Sequence, residues 1–200
     1  SVPLMIAVSK VSFKPMLLVT LTVFAIGQIL SGIAPTFLIL IIARLIVASA
    51  HAIFWSVASV IAVKLVDEQH RDFAMSMIVT GTSIAMIFGL PLGRIVGLYL
   101  GWRMTFILVG IIAFALFAFQ SIVFPALDKP KPFKVNQLPL LFKNKSLVSI
   151  FIVSFLFATA YYTAYSYIEP FMSSIANLSD TWITLSLSMF GVAGILGSVL

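Results

Sequence analysis

Six stretches of this chain, roughly 16–34, 38–63, 73–98, 105–126, 147–168 and 181–200, run for about twenty residues with almost no charge. That is the length an α-helix needs to cross about 30 Å of hydrocarbon at about 1.5 Å per residue. The runs predict an all-α polytopic membrane protein. Composition agrees, with 62% hydrophobic and 9% charged residues against about 45–50% and about 25% in a soluble domain. A seventh, partial run from Val2 to Val8 opens the chain, whose first residue is Ser1, and the last run reaches Leu200 without a polar flank. The expectation is a piece of a longer multi-spanning protein. No cysteine is present, which excludes disulfides and thiolate metal sites within these residues.

The net charge of +6 could suggest a polyanionic partner, but its placement has a simpler reading. Taking alternate connections, one side collects Lys10, Lys14, Lys64, Arg71, Lys129, Lys131, Lys134, Lys143 and Lys145, while the other has Arg103 near Glu169 and Asp180. Short loops rich in Lys and Arg lie on the cytoplasmic side. Connections 9–15, 64–72 and 127–146 are therefore expected in the cytoplasm, in a bilayer and with no nucleic acid. Most connections are short, so neighbouring helices form antiparallel hairpins. The exception, PALDKPKPFKVNQLPLLFKNKS (125–146), is rich in Pro and Lys and reads as a linker. The expected division is 1–126 as the remainder of an N-terminal bundle, 127–146 as cytoplasmic linker and 147–200 as the start of a C-terminal bundle.

Ionisable residues within spans are costly and face a protein interior or a water-filled cavity. Arg44 lies about 10 Å down its helix from Thr36 at 1.5 Å per residue. At 100° per residue, Arg44, His51, Trp55 and Ser59 fall on one stripe. One reading makes the stripe a polar pathway; the other makes Trp55 packing and His51 an interhelical contact. In AYYTAYSYIEPF (160–171), Tyr162, Tyr165 and Glu169 share a face flanked by Tyr161. Phenols in a row suit a polyol, hydrogen-bonding its hydroxyls and stacking on its ring, although an aromatic belt at the interface has the same composition. Arg94, near the outer end of its helix, is expected to snorkel to the headgroups.

The run GTSIAMIFGLPLGRIVGLYLG (81–101) has small residues at four-residue spacing, including Gly81, Gly89, Gly93 and Gly97, with Pro91 among them. In water such a helix would be poor; in lipid, small residues allow close backbone contact between helices. The expectation is a close-packed seam, kinked at Pro91. Paired carboxylates, a nucleophilic triad and a metal-ligand cluster are absent from the sequence pattern, so neither an enzyme nor a cofactor is expected.

ARLIVASAHA (43–52) resembles the fourth-helix motif of the major facilitator superfamily. GLPLGRIVG (89–97) and GWRMTF (101–106) resemble the Gly/Pro-rich fifth-helix motif of its proton-coupled exporters and the hairpin that follows. Together with AHAIFWS (50–56) and TAYYTAYSYIEPF (159–171), these stretches are similar to bacterial sugar efflux transporters of the arabinose and thiogalactoside type, with the chain covering helices two to eight of twelve. In the family the loop VSKVSFKP (8–15) usually has an Asp where Ser9 stands here.

The resemblance implies a multi-pass protein of the cell inner membrane with two six-helix bundles. It would export a small neutral sugar or analogue by proton antiport and alternating access. Arg44, Arg94 and Glu169 become coupling or gating candidates. His51, Trp55, Ser59, Tyr161, Tyr162 and Tyr165 become substrate-lining candidates. Alternatives are a multidrug or purine/nucleoside exporter on the same fold and, more distantly, a seven-helix receptor or a structural membrane protein.

Overall fold

In the computed structural model, which describes residues 11–125, 127 and 142–199, every long apolar run becomes a helix. The order is α1 (Phe13–Ile33), α2 (Phe37–Lys64), α3 (Arg71–Ile84), a π-helical turn (Ala85–Gly89), α4 (Leu90–Leu100), α5 (Trp102–Val123), α6 (Lys145–Ser174) and α7 (Asp180–Val199). Five helical stretches, with Glu68–Leu100 taken as one, are long and apolar enough to cross a membrane. The partial run 2–8, the loop from Val8 to Lys10 and most of the 127–146 linker lie outside the described residues.

Local chemistry marks the ends. Thr36 Oγ1 caps α2 by accepting from the Ile39 amide at 3.4 Å, and Asn144 Oδ1 caps α6 by accepting from the Ser146 and Leu147 amides at 3.1 and 3.3 Å. Such caps satisfy amides that have no partner within the helix. Gly101, at φ +86°, makes the tight reversal between α4 and α5, a conformation that a Cβ would strain.

The centre of the packing is α1, held between α5 and α2. Its glycines make this possible. A Cβ on Gly27 would lie 2.8 Å from Val47 Cγ2 of α2, one on Gly32 would lie 2.8 Å from the Arg103 carbonyl oxygen, and one on Gly110 of α5 would lie 2.7 Å from Ile29 Cγ1. Without those side chains the backbones meet directly, gaining the dispersion contacts that hold helices together in lipid. Polar ties close both ends. Arg103 Nη2 donates to the Ala34 carbonyl at 3.1 Å, linking the α1–α2 turn to the start of α5, while Lys14 Nζ donates to the Phe124 carbonyl at 2.7 Å at the opposite end.

The expected glycine seam is therefore displaced. A Cβ at Gly81 or Gly89 would meet nothing within 4 Å, and one at Gly93 or Gly97 would make only ordinary contact with Thr105 at 3.7 Å. The reason lies in the bend. From Ala85 to Gly89 the helix adopts a π turn just ahead of Pro91, so the regular four-residue ladder does not continue along one straight α-helix. Proline has no N–H and its ring crowds the preceding turn; widening that turn is one way to accommodate it. The close glycine belongs to the partner helix: a Cβ on Gly191 of α7 would lie 2.8 Å from Ile87 Cα and Ile87 N. Here α7 crosses the π turn backbone against backbone.

A second difference concerns α6, which continues past the expected end near residue 168 to Ser174 with Pro170 inside it. One lost backbone bond at Pro170 is tolerated within a 30-residue helix, as prolines in membrane helices often are.

Gly101→Leu should be more damaging than Gly89→Leu, because the first forces a side chain into the left-handed region while the second points into open space. Thermal melting of the purified protein in detergent checks this, and an equal loss at both positions would refute it.

Candidate functional site

Arg94 occupies the centre of the most highly connected polar site. It rises from α4, one turn beyond Pro91, and its side chain is 9% exposed. Its Nε donates to Glu169 Oε1 of α6 at 2.9 Å, and its Nη2 donates to Asp180 Oδ1 of α7 at 2.7 Å. The remaining donor, Nη1, reaches Thr184 Oγ1 at 3.1 Å and the Asp180 carbonyl at 3.2 Å. The expected snorkelling of Arg94 is thus corrected. A guanidinium offers several donors in a rigid fork, and here two carboxylates, a hydroxyl and a carbonyl from helices beyond the linker take them up. Glu169 and Asp180 are themselves half or more exposed, at 50% and 70%, so the clamp has a buried cation and solvated anions.

Beside the clamp opens a cleft of about 970 Å³, lined by Gly89, Gly93, Arg94 and Gly97 of the bent helix, Trp102 and Thr105 of α5, and Tyr165, Ser166, Glu169 and Ser173 of α6. Its size lies in the range of small-molecule sites, about 300–1,000 Å³. Gly93 and Gly97 contribute to it as bare backbone. Thr105 Oγ1 donates to the Gly93 carbonyl at 3.3 Å, fixing the wall they form.

Below the cleft runs a column of rings. Tyr161 stacks on Tyr165 at 6.0 Å with 7° between the planes, Phe157 stacks on Tyr161 at 6.3 Å, and Phe190 of α7 leans on both tyrosines. The column follows the four-residue spacing 157, 161, 165, so Tyr161, not Tyr162, continues the row that ends at Glu169. Tyr162 meets Tyr161 edge-on and is 62% exposed.

The α2 stripe does not join this site. Trp55 Nε1 donates to His51 Nε2 at 2.8 Å, and the pair lines a separate cavity of about 200 Å³ with Thr20, Leu21 and Phe24 of α1; Trp55 also lines a cavity of about 420 Å³ with Met77, Gly81 and Ala85 of the bent helix and Gln120 of α5. Ser59 is exposed farther along α2. Arg44, two turns before His51, also meets α1. Its Nη1 donates to Gln28 Oε1 of α1 at 3.1 Å, and its Cζ lies 5.0 Å from the centroid of the Phe106 ring of α5.

Thus the structure brings Arg94, Glu169, Tyr165 and Tyr161 together, while His51, Trp55, Ser59 and Arg44 do not line that cleft. Asp180, Thr184 and Gln28 were missed. A lone Gln among Gly and Ser in an apolar run was the available signal for the last; Asp180 stands at a helix start, where Asp is ordinary, and Thr184, one turn in, bonds back to the Asp180 carbonyl as Thr in a helix commonly does. Among the described residues no three His, Asp or Glu side chains are grouped to hold a metal ion.

Comparison with known families agrees with the helical architecture: the model of the Major Facilitator Superfamily matches residues 1–200. A match over the whole length, on a chain of membrane-length helices, assigns the protein to the major facilitator superfamily of membrane transporters.

Proposed function

We propose that the protein exports a sugar or sugar analogue across the bacterial inner membrane by proton antiport, with the Lys-rich connections facing the cytoplasm. One arrangement carries the reading: a cross-linker ion clamp and Tyr165, which ends a stacked column of rings, share the cleft between α4, α5 and α6. An alternating-access carrier needs contacts that hold one face shut and can be released. Arg94 with Glu169 and Asp180 has that form, since its partners come from α6 and α7, the helices after the linker. Loss of either negative charge would remove one of the charges that hold Arg94. Tyr165 provides a ring face in the cleft, with Ser166 and Ser173 in the same wall. Neutral groups of this kind suit a polyhydroxylated ligand better than a cation. Arg44 serves as a second coupling charge, standing apart from the cleft.

Whole-cell efflux of labelled arabinose, a labelled thiogalactoside and a cationic dye tests the assignment. The two sugars are expected to be exported, the dye retained, and a protonophore to stop export. Dye efflux without sugar efflux would move the substrate to the drug class, and export that survives the protonophore would remove proton coupling.

A further inference from the structure

Arg44 lies within a span, yet α1, α2 and α5, the helices around it, contain no Asp or Glu at all. Their other ionisable groups are Lys14 and Lys64 at the far end, His51 two turns along α2, and Arg103, which is occupied by the Ala34 carbonyl and the face of Trp102. The group that meets Arg44 is an amide, Gln28, which is 6% exposed. Its place is set by the glycines on either side of it in sequence. Gly27 brings α1 against Val47, one turn from Arg44 on the same face of α2, and Gly32 brings α1 against the Arg103 carbonyl of α5. These two close contacts flank Gln28, whose oxygen lies 3.1 Å from Arg44 Nη1.

The choice of amide has a physical consequence. A buried carboxylate would neutralise the guanidinium and hold it in a pair that is costly to break. An amide oxygen accepts one N–H and leaves the charge intact, while the Phe106 ring adds a cation–π contact that is likewise neutral. We propose that Gln28 is a positioning residue for Arg44, holding its guanidinium at fixed depth in the span for the proton-coupled step. This rests on the reading of Arg44 as a coupling charge.

The test uses the intact protein in proteoliposomes, with labelled arabinose and a labelled thiogalactoside as probes. Two transport modes are compared, gradient-driven transport across a range of pH and equilibrium exchange with no proton gradient. Gln28→Met keeps the side-chain length and removes the acceptor. It should leave exchange within about twofold of wild type, lower gradient-driven transport about tenfold, a change equivalent to about 1.4 kcal/mol, and flatten its pH profile. Gln28→Glu, whose carboxylate pairs with Arg44, should lower gradient-driven transport throughout the pH range while leaving exchange within about twofold of wild type. Gln28→Asn, one methylene short, should behave as Gln28→Met and replaces it should that variant fail to fold.

A wild-type pH profile and rate for Gln28→Met or Gln28→Asn, with Arg44→Ala inactive in gradient-driven transport, would overturn the role of Gln28 alone. Gradient-driven transport retained by Arg44→Ala would overturn the coupling reading itself and this inference with it. A readout independent of substrate is the melting temperature of Gln28→Met, Arg44→Met and the double variant. Losses smaller in the double variant than the sum of the singles are expected for groups in contact, and strict additivity would overturn the contact.

Discussion

Replacing Arg94 with Ala should open the clamped face and reduce gradient-driven transport about tenfold or more, while the amount of folded protein in the membrane stays near wild type. The asymmetry of the clamp is the reason. Its anions are half or more exposed, so they return to water at little cost when the cation is removed; exposed pairs are worth about 0–1 kcal/mol to a fold. Removing both anions is different, because it leaves a guanidinium that is 9% exposed without a countercharge, and an unpaired buried charge costs about 3 kcal/mol or more. The double variant Glu169→Gln/Asp180→Asn is therefore expected to lower the melting temperature more than Arg94→Ala does, although each abolishes the same two ion pairs. The conformational effect can be read directly because the 200-residue chain has no cysteine. A single cysteine at Ser173, in the wall of the cleft, should react faster with a membrane-impermeant maleimide when Arg94 is Ala, since each 1.4 kcal/mol taken from the closed form changes the open-to-closed ratio about tenfold. Unchanged labelling and unchanged transport would remove Arg94 from the gate.

The largest stability effect is expected at Gly32. Its missing Cβ would stand 2.8 Å from the Arg103 carbonyl oxygen and closer still to Ile107, and a backbone oxygen cannot rotate aside as a side chain can. Overpacking in a close-packed interior costs about 1–3 kcal/mol, and Gly32→Leu should lie at or beyond the upper end because α1 and α5 must separate to admit it. The same movement would withdraw the Ala34 carbonyl from Arg103 and Gln28 from Arg44. Loss of the monodisperse peak on size-exclusion chromatography and a large drop in melting temperature are the expected results; a variant as stable as wild type would show that the α1–α5 contact is looser than its geometry.

How far the fold could be read beforehand follows from which forces are local. Hydropathy is a property of each stretch, so the helices of Phe13–Ile33, Phe37–Lys64 and Trp102–Val123 fall within a few residues of the apolar runs. Helix pairing in lipid is set by shape, and shape depends on distant residues. The regular spacing at 81–97 drew attention, while the less regular Gly27, Gly32 and Gly110 make the tight contacts, because tightness depends on what stands opposite and not on the interval between glycines. The candidate site divides in the same way. Tyr165 and Glu169 were legible from one helix face. Arg94 was legible as a charge but not as a clamp, since its partners are 75 and 86 residues away in the chain. Arg44, His51, Trp55 and Ser59 share a stripe on α2, yet the guanidinium is long enough to reach round to α1, and the stripe did not become one site.

The π turn at Ala85–Gly89 also uncouples the length of its helix from its phase. A π turn accommodates roughly one residue more than the α-helical turn it replaces. That surplus is about 100° of rotation that the segment beyond does not undergo. The segment carrying Arg94 is therefore oriented as though the chain were one residue shorter, and this orientation brings the guanidinium to α6 and α7. An insertion or deletion elsewhere between Arg71 and Leu100 would swing Arg94 by about that angle. Within Ala85–Gly89 the helix can absorb the loss of a residue by becoming plain α, so that this five-residue turn is the place in the span where the count of residues can change and the face presented to Glu169 need not.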